Sequence, residues 1–393
     1  MISVEEALVL VSQAKRAYPT IHVHLDQSLG GILAQDVFTD RDYPPFDRVT
    51  MDGIAICYQE NREKDHLFEL EGIQQAGQPA QQLLNKNGCL EAMTGAPLPI
   101  GCDTIIRFED LEKIENGYIV KIDISKGSNI HPRGADAKAQ TKAIEKGTPI
   151  TPLTIGVLAS LGIAQIEILG HPKIAILSTG DELVGLEDVP QPHQIRSSNS
   201  LVLKTLLHQL GLQADLFHVS DEVHVLHKML QETLKDFDVI LITGGVSAGK
   251  FDFVPEALTT IGVEKIFHKI NQRPGKPFWF GTSKKQAVFA YPGNPMSCFI
   301  CHKIYFEHWW RACNGKITSS VTAILEEDIT FKPKMTFFVL GIAKVKSGSL
   351  YFKPIQTNGS GDFISPLQAN AIMHLPPDRE LFSKDEHYEI IWI

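Results

Sequence analysis

The stretch LITGGVSAGKFDF, residues 241–253, decides how this chain is read. The aliphatic run FDVILIT stops at Gly244-Gly245, and Ser247 and Gly249 then lead to Asp252 and a helical pattern. Glycines let backbone N–H groups approach a phosphate closely, and the helix N-terminus that follows favours an anion. Three glycines within six residues, with a serine between them, exceed what a plain strand-to-helix turn needs. Gly244, Gly249 and Lys250 also fit the P-loop pattern G-x-x-x-x-G-K, but Phe251 stands where that loop needs a hydroxyl to hold magnesium. Either the match is chance or the loop holds phosphate in another way. Asp252 also fits a plain N-cap.

Outward from this loop the chain alternates. KIAILST, LQADLFHV, FDVILIT, EKIFHKI, PFWFG and QAVFAYP read as strands. SNSLVLKTLLHQLG, VHVLHKMLQETLK, DFVPEALTTIG and PMSCFICHKIYFEHWW read as helices. That rhythm predicts a mostly parallel α/β sheet, which binds ligands beyond the carboxyl ends of its strands. Three further loops sit at such ends. LSTGDELV (177–184) places Asp181 and Glu182 after Gly180, an arrangement that suits a magnesium site or a general base as well as a capped turn. NQRPGKPFWFG (271–281) sets Arg273 and Lys276 about a Pro-Gly turn, and two cations on a stiff turn can grip an oxyanion. YPGNPMS (291–297) is by itself a well-made helix entry with Pro295 near N1. CFICH (298–302) matches a c-type haem signature but lies in an apolar helix, so Cys298 and Cys301 are expected to be small core residues.

Elsewhere, Ser3 and Glu6 predict a capping box opening a helix through Ala14. Short apolar runs between 54 and 142 predict a small all-β domain, a helix is expected from about Thr154, and strands dominate again from Lys316. At 393 residues the chain is expected to hold roughly three or four domains. Its net charge of −9 and lack of a basic run argue against nucleic-acid binding. No apolar run reaches membrane-spanning length, and ISVEEALVLVSQAK after Met1 does not read as a signal peptide. Six scattered cysteines make no disulfide framework, so a reduced, cytoplasmic protein is expected. Asp47 and Asp52 in PPFDRVTMDG, Thr94 in MTGAPLPIGCDT, and Arg133 and Asp136 in NIHPRGADAK each read singly as turn chemistry. Lone histidines such as His131, His208 and His268 read as core or surface.

Taken in order, PPFDRVTMDG, MTGAPLPIGCDT, NIHPRGAD, LSTGDEL, SSN, TGGVSAGKFDF, RPGKPFWFG and YPGNPMS resemble the molybdopterin molybdotransferase family, which includes the gephyrin E domain. The resemblance implies an enzyme that inserts molybdate into adenylylated molybdopterin, releasing AMP and using magnesium. It implies an elongated domain from 1–42 and 143–170, an inserted β domain at 43–142, an α/β molybdopterin-binding domain at 171–315 and a C-terminal β-barrel at 316–393. It also implies a homodimer with its cleft between the α/β domain of one subunit and the inserted domain of the other, and an upstream molybdopterin adenylyltransferase as partner. Carried over by motif, Glu182 and Asp52 are the expected catalytic carboxylates. Thr94, Asp136, Asn199, Gly244, Gly245, Ser247 and Asp252 are expected to contact the pterin substrate. Arg273 and Lys276 bracket the anion, with Pro292, Asn294 and Pro295 in the wall. Glu182, Asp221 and Glu222 are the expected metal ligands. The chain departs from the pattern at Glu222, where a second aspartate is common, at Arg273, where a lysine is common, and at His131-Pro132, which replaces a more basic run. Under this resemblance the glycine stretch is not a Walker loop, and magnesium falls to carboxylates elsewhere. The alternative reading is a non-catalytic molybdopterin-binding or scaffold protein of the same fold.

Overall fold

The computed structural model describes residues 1–60, 65–246, 253–315 and 320–393. The chain divides into two units, one formed by Met1–Val23, Gln27–Ile32 and Glu167–Ile393, the other by His24–Asp26 and Leu33–Ile166.

The aliphatic runs of the first unit form a six-stranded sheet. Its strands are β1 (Ile174–Thr179), β2 (Ala214–Val219), β3 (Val239–Thr243), β4 (Glu264–His268), β5 (Trp279–Thr282) and β6 (Ala287–Tyr291), in the spatial order β2-β1-β3-β6-β5-β4. The first four in that order are parallel, and β5 runs antiparallel to β6 and β4. Every residue of β1, β3 and β6 is buried, because helices cover both faces. The two-residue alternation of a strand sends Ile174 and Ile176 to one core and Ala175 and Leu177 to the other. Leu203 and Leu207 from the helix Asn199–Gln209 and Cys298 and Cys301 from Pro295–Cys301 fill the first core. Leu226 and Leu230 from Val223–Asp236 and Leu258 from Val254–Thr260 fill the second. The N-terminal helix Val4–Gln13 carries both bonds of the expected capping box, Glu6 N–H to Ser3 Oγ at 3.1 Å and Ser3 N–H to Glu6 Oε2 at 2.9 Å.

The C-terminal strands β7 (Val321–Leu325), β8 (Thr336–Lys346), β9 (Ser349–Pro354), β10 (Ala371–Leu375) and β11 (His387–Trp392) follow the order β8-β9-β7-β11-β10, and β10 pairs back to β8. The sheet is therefore a closed five-stranded barrel around Phe352, Phe382 and Met373. Gln272 and Arg273 add to its rim, parallel to Thr336 and Phe337 of β8.

The second unit holds the expected β domain. Its six strands run in the order Thr104–Arg107, Gly53–Ile56, Gly88–Ala92, Leu67–Gln74, Gly117–Val120, Leu111–Ile114. The helix there begins at Pro152, two residues before the expected start, because Thr151 is its N-cap and accepts the Thr154 N–H at 3.2 Å. Among the described residues, no helix is long and apolar enough to cross a membrane.

Candidate active site

Register sets the site. Ser178 of β1 lies opposite Thr243 of β3, and Thr243 opposite Tyr291 of β6. The three parallel strands thus end together, and their loops emerge side by side. Gly244 has φ 93°, and its N–H donates to Tyr291 O at 3.1 Å. A Cβ there would sit 2.8 Å from both the carbonyl oxygen and the hydroxyl of Thr179. Gly180 has φ 134°, and a Cβ on it would lie 2.6 Å from Glu182 Oε2, so the bare glycine leaves room for the carboxylate to fold back over the strand end. Asn199, opening its helix, donates from Nδ2 to Gly293 O at 2.8 Å and ties down the third loop.

The cationic turn approaches from the barrel side. Ile270 N–H donates to Lys276 O at 2.9 Å and Phe278 N–H to Gly275 O at 3.1 Å. The Arg273 guanidinium carbon lies 6.0 Å from the ring centre of Phe331, which stacks on Phe337 at 4.1 Å and 10°. Glu182, Asn199, Gly244, Arg273, Lys276 and Asn294 all line one cavity of about 1370 Å³ within the first unit. Pro292 and Pro295 complete that wall.

Other expected residues lie differently. Gly245, at φ 66°, packs toward Val254, where a Cβ would come within 2.7 Å of Cγ2, and has no place in the cavity lining. Asp221 donates its N–H to Asp181 Oδ1 at 3.3 Å. Burial, together with the charges of Asp181 and Glu182, raises its carboxyl above the usual range. Glu222 pairs with His224 at 3.4 Å. Among the described residues, no three His, Cys, Asp or Glu side chains converge on a metal position. Magnesium takes one or two carboxylates and completes its shell with phosphate and water, so the Asp181 carboxylate, which lies against the Asp221 backbone, and the neighbouring Glu182 would be enough to hold it. Ser247 and Asp252 lie outside the described residues.

One contributor was missed in the sequence. Ser360, in the barrel loop TNGSGDFIS, accepts from Asn294 Nδ2 at 2.8 Å and takes the Met296 N–H on its carbonyl at 3.2 Å. Asp362 fixes that loop by accepting N–H bonds from Asn358, Ile364 and Ser365 at 2.9, 3.2 and 3.0 Å. Those bonds, led by the one from Asn358, hold its carboxyl well below the usual carboxylate range. The serine between two glycines, followed by a turn-forming aspartate, was the available signal.

Within the second unit, the loops that read singly as turns are built onto one another. Thr94 N–H donates to Asp52 Oδ1 at 2.7 Å, and this bond, with one from the Thr94 side chain, keeps the Asp52 carboxyl below its ordinary range. Asp47 accepts Leu98 N–H at 2.8 Å on its carbonyl and Arg133 N–H at 2.8 Å on its carboxylate. Arg133 Nε pairs with Asp42 at 2.7 Å, so its charge is already engaged. Asp136 donates its N–H to Tyr43 O at 2.9 Å and pairs through its carboxylate with His131 Nε2 at 2.9 Å. Arg48 Nη2 lies 3.0 Å from His131 Nδ1 and can only donate, so Nδ1 accepts and Nε2 carries the proton toward Asp136. His131, expected to be an idle core or surface residue, thus bridges Arg48 and Asp136.

A glycine turn, a carboxylate and a cation pair around one crevice of a parallel sheet define an α/β protein whose crevice suits an anionic, phosphate-bearing ligand. Family models narrow the class. Residues 2–162 match "MoeA N-terminal region (domain I and II)", residues 175–309 match "Probable molybdopterin binding domain", and residues 322–391 match "MoeA C-terminal region (domain IV)". The chain is 33% identical to the molybdopterin molybdenumtransferase of Synechocystis over 394 residues, covering 98% of each. It is 29% identical to the protein of that name from Staphylococcus aureus, over 99% of this chain and 95% of the relative. A solved molybdopterin biosynthesis moeA protein from Pyrococcus horikoshii superposes with a TM-score of 0.84 at 26% identity, covering all of both chains. The chain belongs to the molybdopterin molybdenumtransferase family and is a transferase.

Proposed function

We propose that this protein inserts molybdenum into molybdopterin in the cytoplasm, taking the adenylylated pterin and molybdate as substrates and releasing AMP. The observation that carries the reading is the cavity in which Glu182, the Gly244 turn and the Arg273–Lys276 cations face one space. The pterin phosphate lies on the glycine turn. Arg273 and Lys276 attract the molybdate dianion, offsetting locally a chain whose net charge is −9. Glu182 orients the attacking oxygen. That oxygen, from molybdate or water, bonds to the adenylate phosphorus as the anhydride P–O bond breaks, and the electron pair stays with the pterin phosphate. An attacking water gives its proton to Glu182, whereas an oxygen from molybdate leaves with AMP as its Mo–O bond breaks and a dithiolene sulfur takes its place on the molybdenum. Magnesium, held by one or two of the carboxylates of Asp181, Glu182 and Asp221, would neutralise charge on the phosphates.

The working form in this proposal is a homodimer, supplied with substrate by a molybdopterin adenylyltransferase. Asp52, Thr94 and Asp136 serve the same reaction. Mixing Glu182→Ala with Asp52→Ala protein, each inactive alone, restores turnover if the two residues act from different protomers. The central test supplies the full-length protein with adenylylated molybdopterin and magnesium, with or without molybdate, and follows AMP. Release that depends on molybdate supports the enzyme. Retention of the pterin without release supports the scaffold alternative, and failure to bind the pterin overturns both.

A further inference from the structure

Beneath the cationic turn lies a buried polar chain that the proposed reaction leaves unused. Gln272, Cys301 and Tyr305 are fully buried. Gln272 Nε2 donates to Pro274 O at 2.9 Å, and its Oε1 accepts from the Tyr305 hydroxyl. The same Nε2 lies 3.6 Å from Cys301 Sγ, and the Cys301 thiol donates to Gly275 O at 3.7 Å. Gly275 has φ 89°, and any Cβ on it would collide with Cys301 Sγ. Tyr305 stacks on Phe278 at 4.8 Å and 18°, the residue whose N–H closes the turn onto Gly275 O. It sits on a π-helical turn, His302–Phe306, an irregularity found frequently at functional sites.

A methionine would fill the place of Gln272 without the cost of desolvating an amide. Here both ends of the amide are paired, and each partner either belongs to the turn or braces it. We propose that Gln272 and Tyr305 are positioning residues: a buried strut that fixes the Pro274–Gly275 backbone and so sets the spacing and aim of Arg273 and Lys276 toward a tetrahedral oxyanion. This rests on the reading of Arg273 and Lys276 as the molybdate site. The strut supplies the order in advance, so the turn need not be frozen when the anion arrives.

The test measures molybdate binding to the full-length protein by equilibrium dialysis, beside thermal unfolding and the half-saturation for adenylylated molybdopterin. Gln272→Met and Tyr305→Phe each weaken molybdate binding about threefold to tenfold, the factor expected of one neutral hydrogen bond. Pterin half-saturation stays within about twofold, since the lost bond orients the anion alone. The double variant Gln272→Met/Tyr305→Phe leaves no orphaned hydroxyl and regains part of the thermal stability lost in Gln272→Met, yet its molybdate affinity stays low. Recovery of molybdate affinity together with stability, or no loss in either single variant, overturns the strut. Arg273→Ala and Lys276→Ala separate the two levels. Unchanged molybdate binding in both sinks the oxyanion reading itself, whereas weakened binding there with intact binding in the strut variants sinks only the strut.

Discussion

Gly244→Ala tests whether the crevice is built as described. At φ 93° an L-residue is held in the left-handed region, at a cost of roughly 1–2 kcal/mol. The added Cβ would also lie 2.8 Å from Thr179 O and Oγ1, and the carbonyl belongs to a buried strand that cannot swing aside. Overpacking of that kind adds on the order of 1 kcal/mol. The sum, roughly 2–3 kcal/mol, corresponds to a fall in Tm of about 4–12 °C at roughly 2–4 °C per kcal/mol. Gly293→Ala is the control. Gly293 is a neighbour in the same crevice, outside the left-handed region, and its Cβ would meet only Gly244 Cα at 3.9 Å. Calorimetry on both variants should show a large drop for Gly244→Ala and almost none for Gly293→Ala. Equal melting points for the two would refute the argument, because they differ only in backbone conformation and in what the methyl group strikes.

Glu182→Ala is expected to abolish AMP release while the protein keeps its Tm and oligomeric state, and full activity would remove this carboxylate from the reaction. Asp221 has a raised carboxyl, so its contribution to stability is present below about pH 3.8 and lost as pH rises through the folded pKa. Asp221→Asn should therefore raise Tm at pH 7 relative to the wild type, with the gain shrinking toward pH 4; a gain independent of pH contradicts this. Asp362 has the opposite sign: its lowered carboxyl stabilises above the unfolded value and loses that effect as pH falls. Asp362→Asn should lower Tm at pH 7 and converge on the wild type in acid. The same variant should raise the pterin half-saturation, because Ser360 holds Asn294 through the loop that Asp362 ties.

The sheet, the glycine turns and the C-terminal strands were legible because each leaves a local mark: continuous apolar runs, glycines where φ must be positive, and two-residue alternation between turns; closure of those strands into a barrel came only from the family resemblance. Cys298 and Cys301 were also read correctly as core, and burial pushes both thiols up. What escaped the sequence was decided by tertiary partners. The run 295–310 reads as one helix, and nothing in residue preference marks the π-turn at His302–Phe306. Ser360 meets Asn294 across 66 residues of chain, and no local pattern announces that bond. Nor does sequence decide that Glu222 turns to His224 while its neighbour Asp221 faces two other carboxylates.

The barrel then has a physical role in the crevice. Gln272 and Arg273 pair with Thr336 and Phe337, the Arg273 guanidinium lies over Phe331, and Asn294 is held by Ser360. Each contact joins a loop of the α/β sheet to the barrel, and each falls on a residue lining the cavity or next to one. An arginine carries about 2 kcal/mol of side-chain entropy. An arginine already held by a strand pairing and an aromatic face gives up less of it when an anion binds. The closed barrel, which exposes no free sheet edge, is a rigid support for that restraint. On the proposed reading, an acidic chain can therefore present a cation to a dianion with little reorganisation, because the barrel holds Arg273 in place before any substrate arrives.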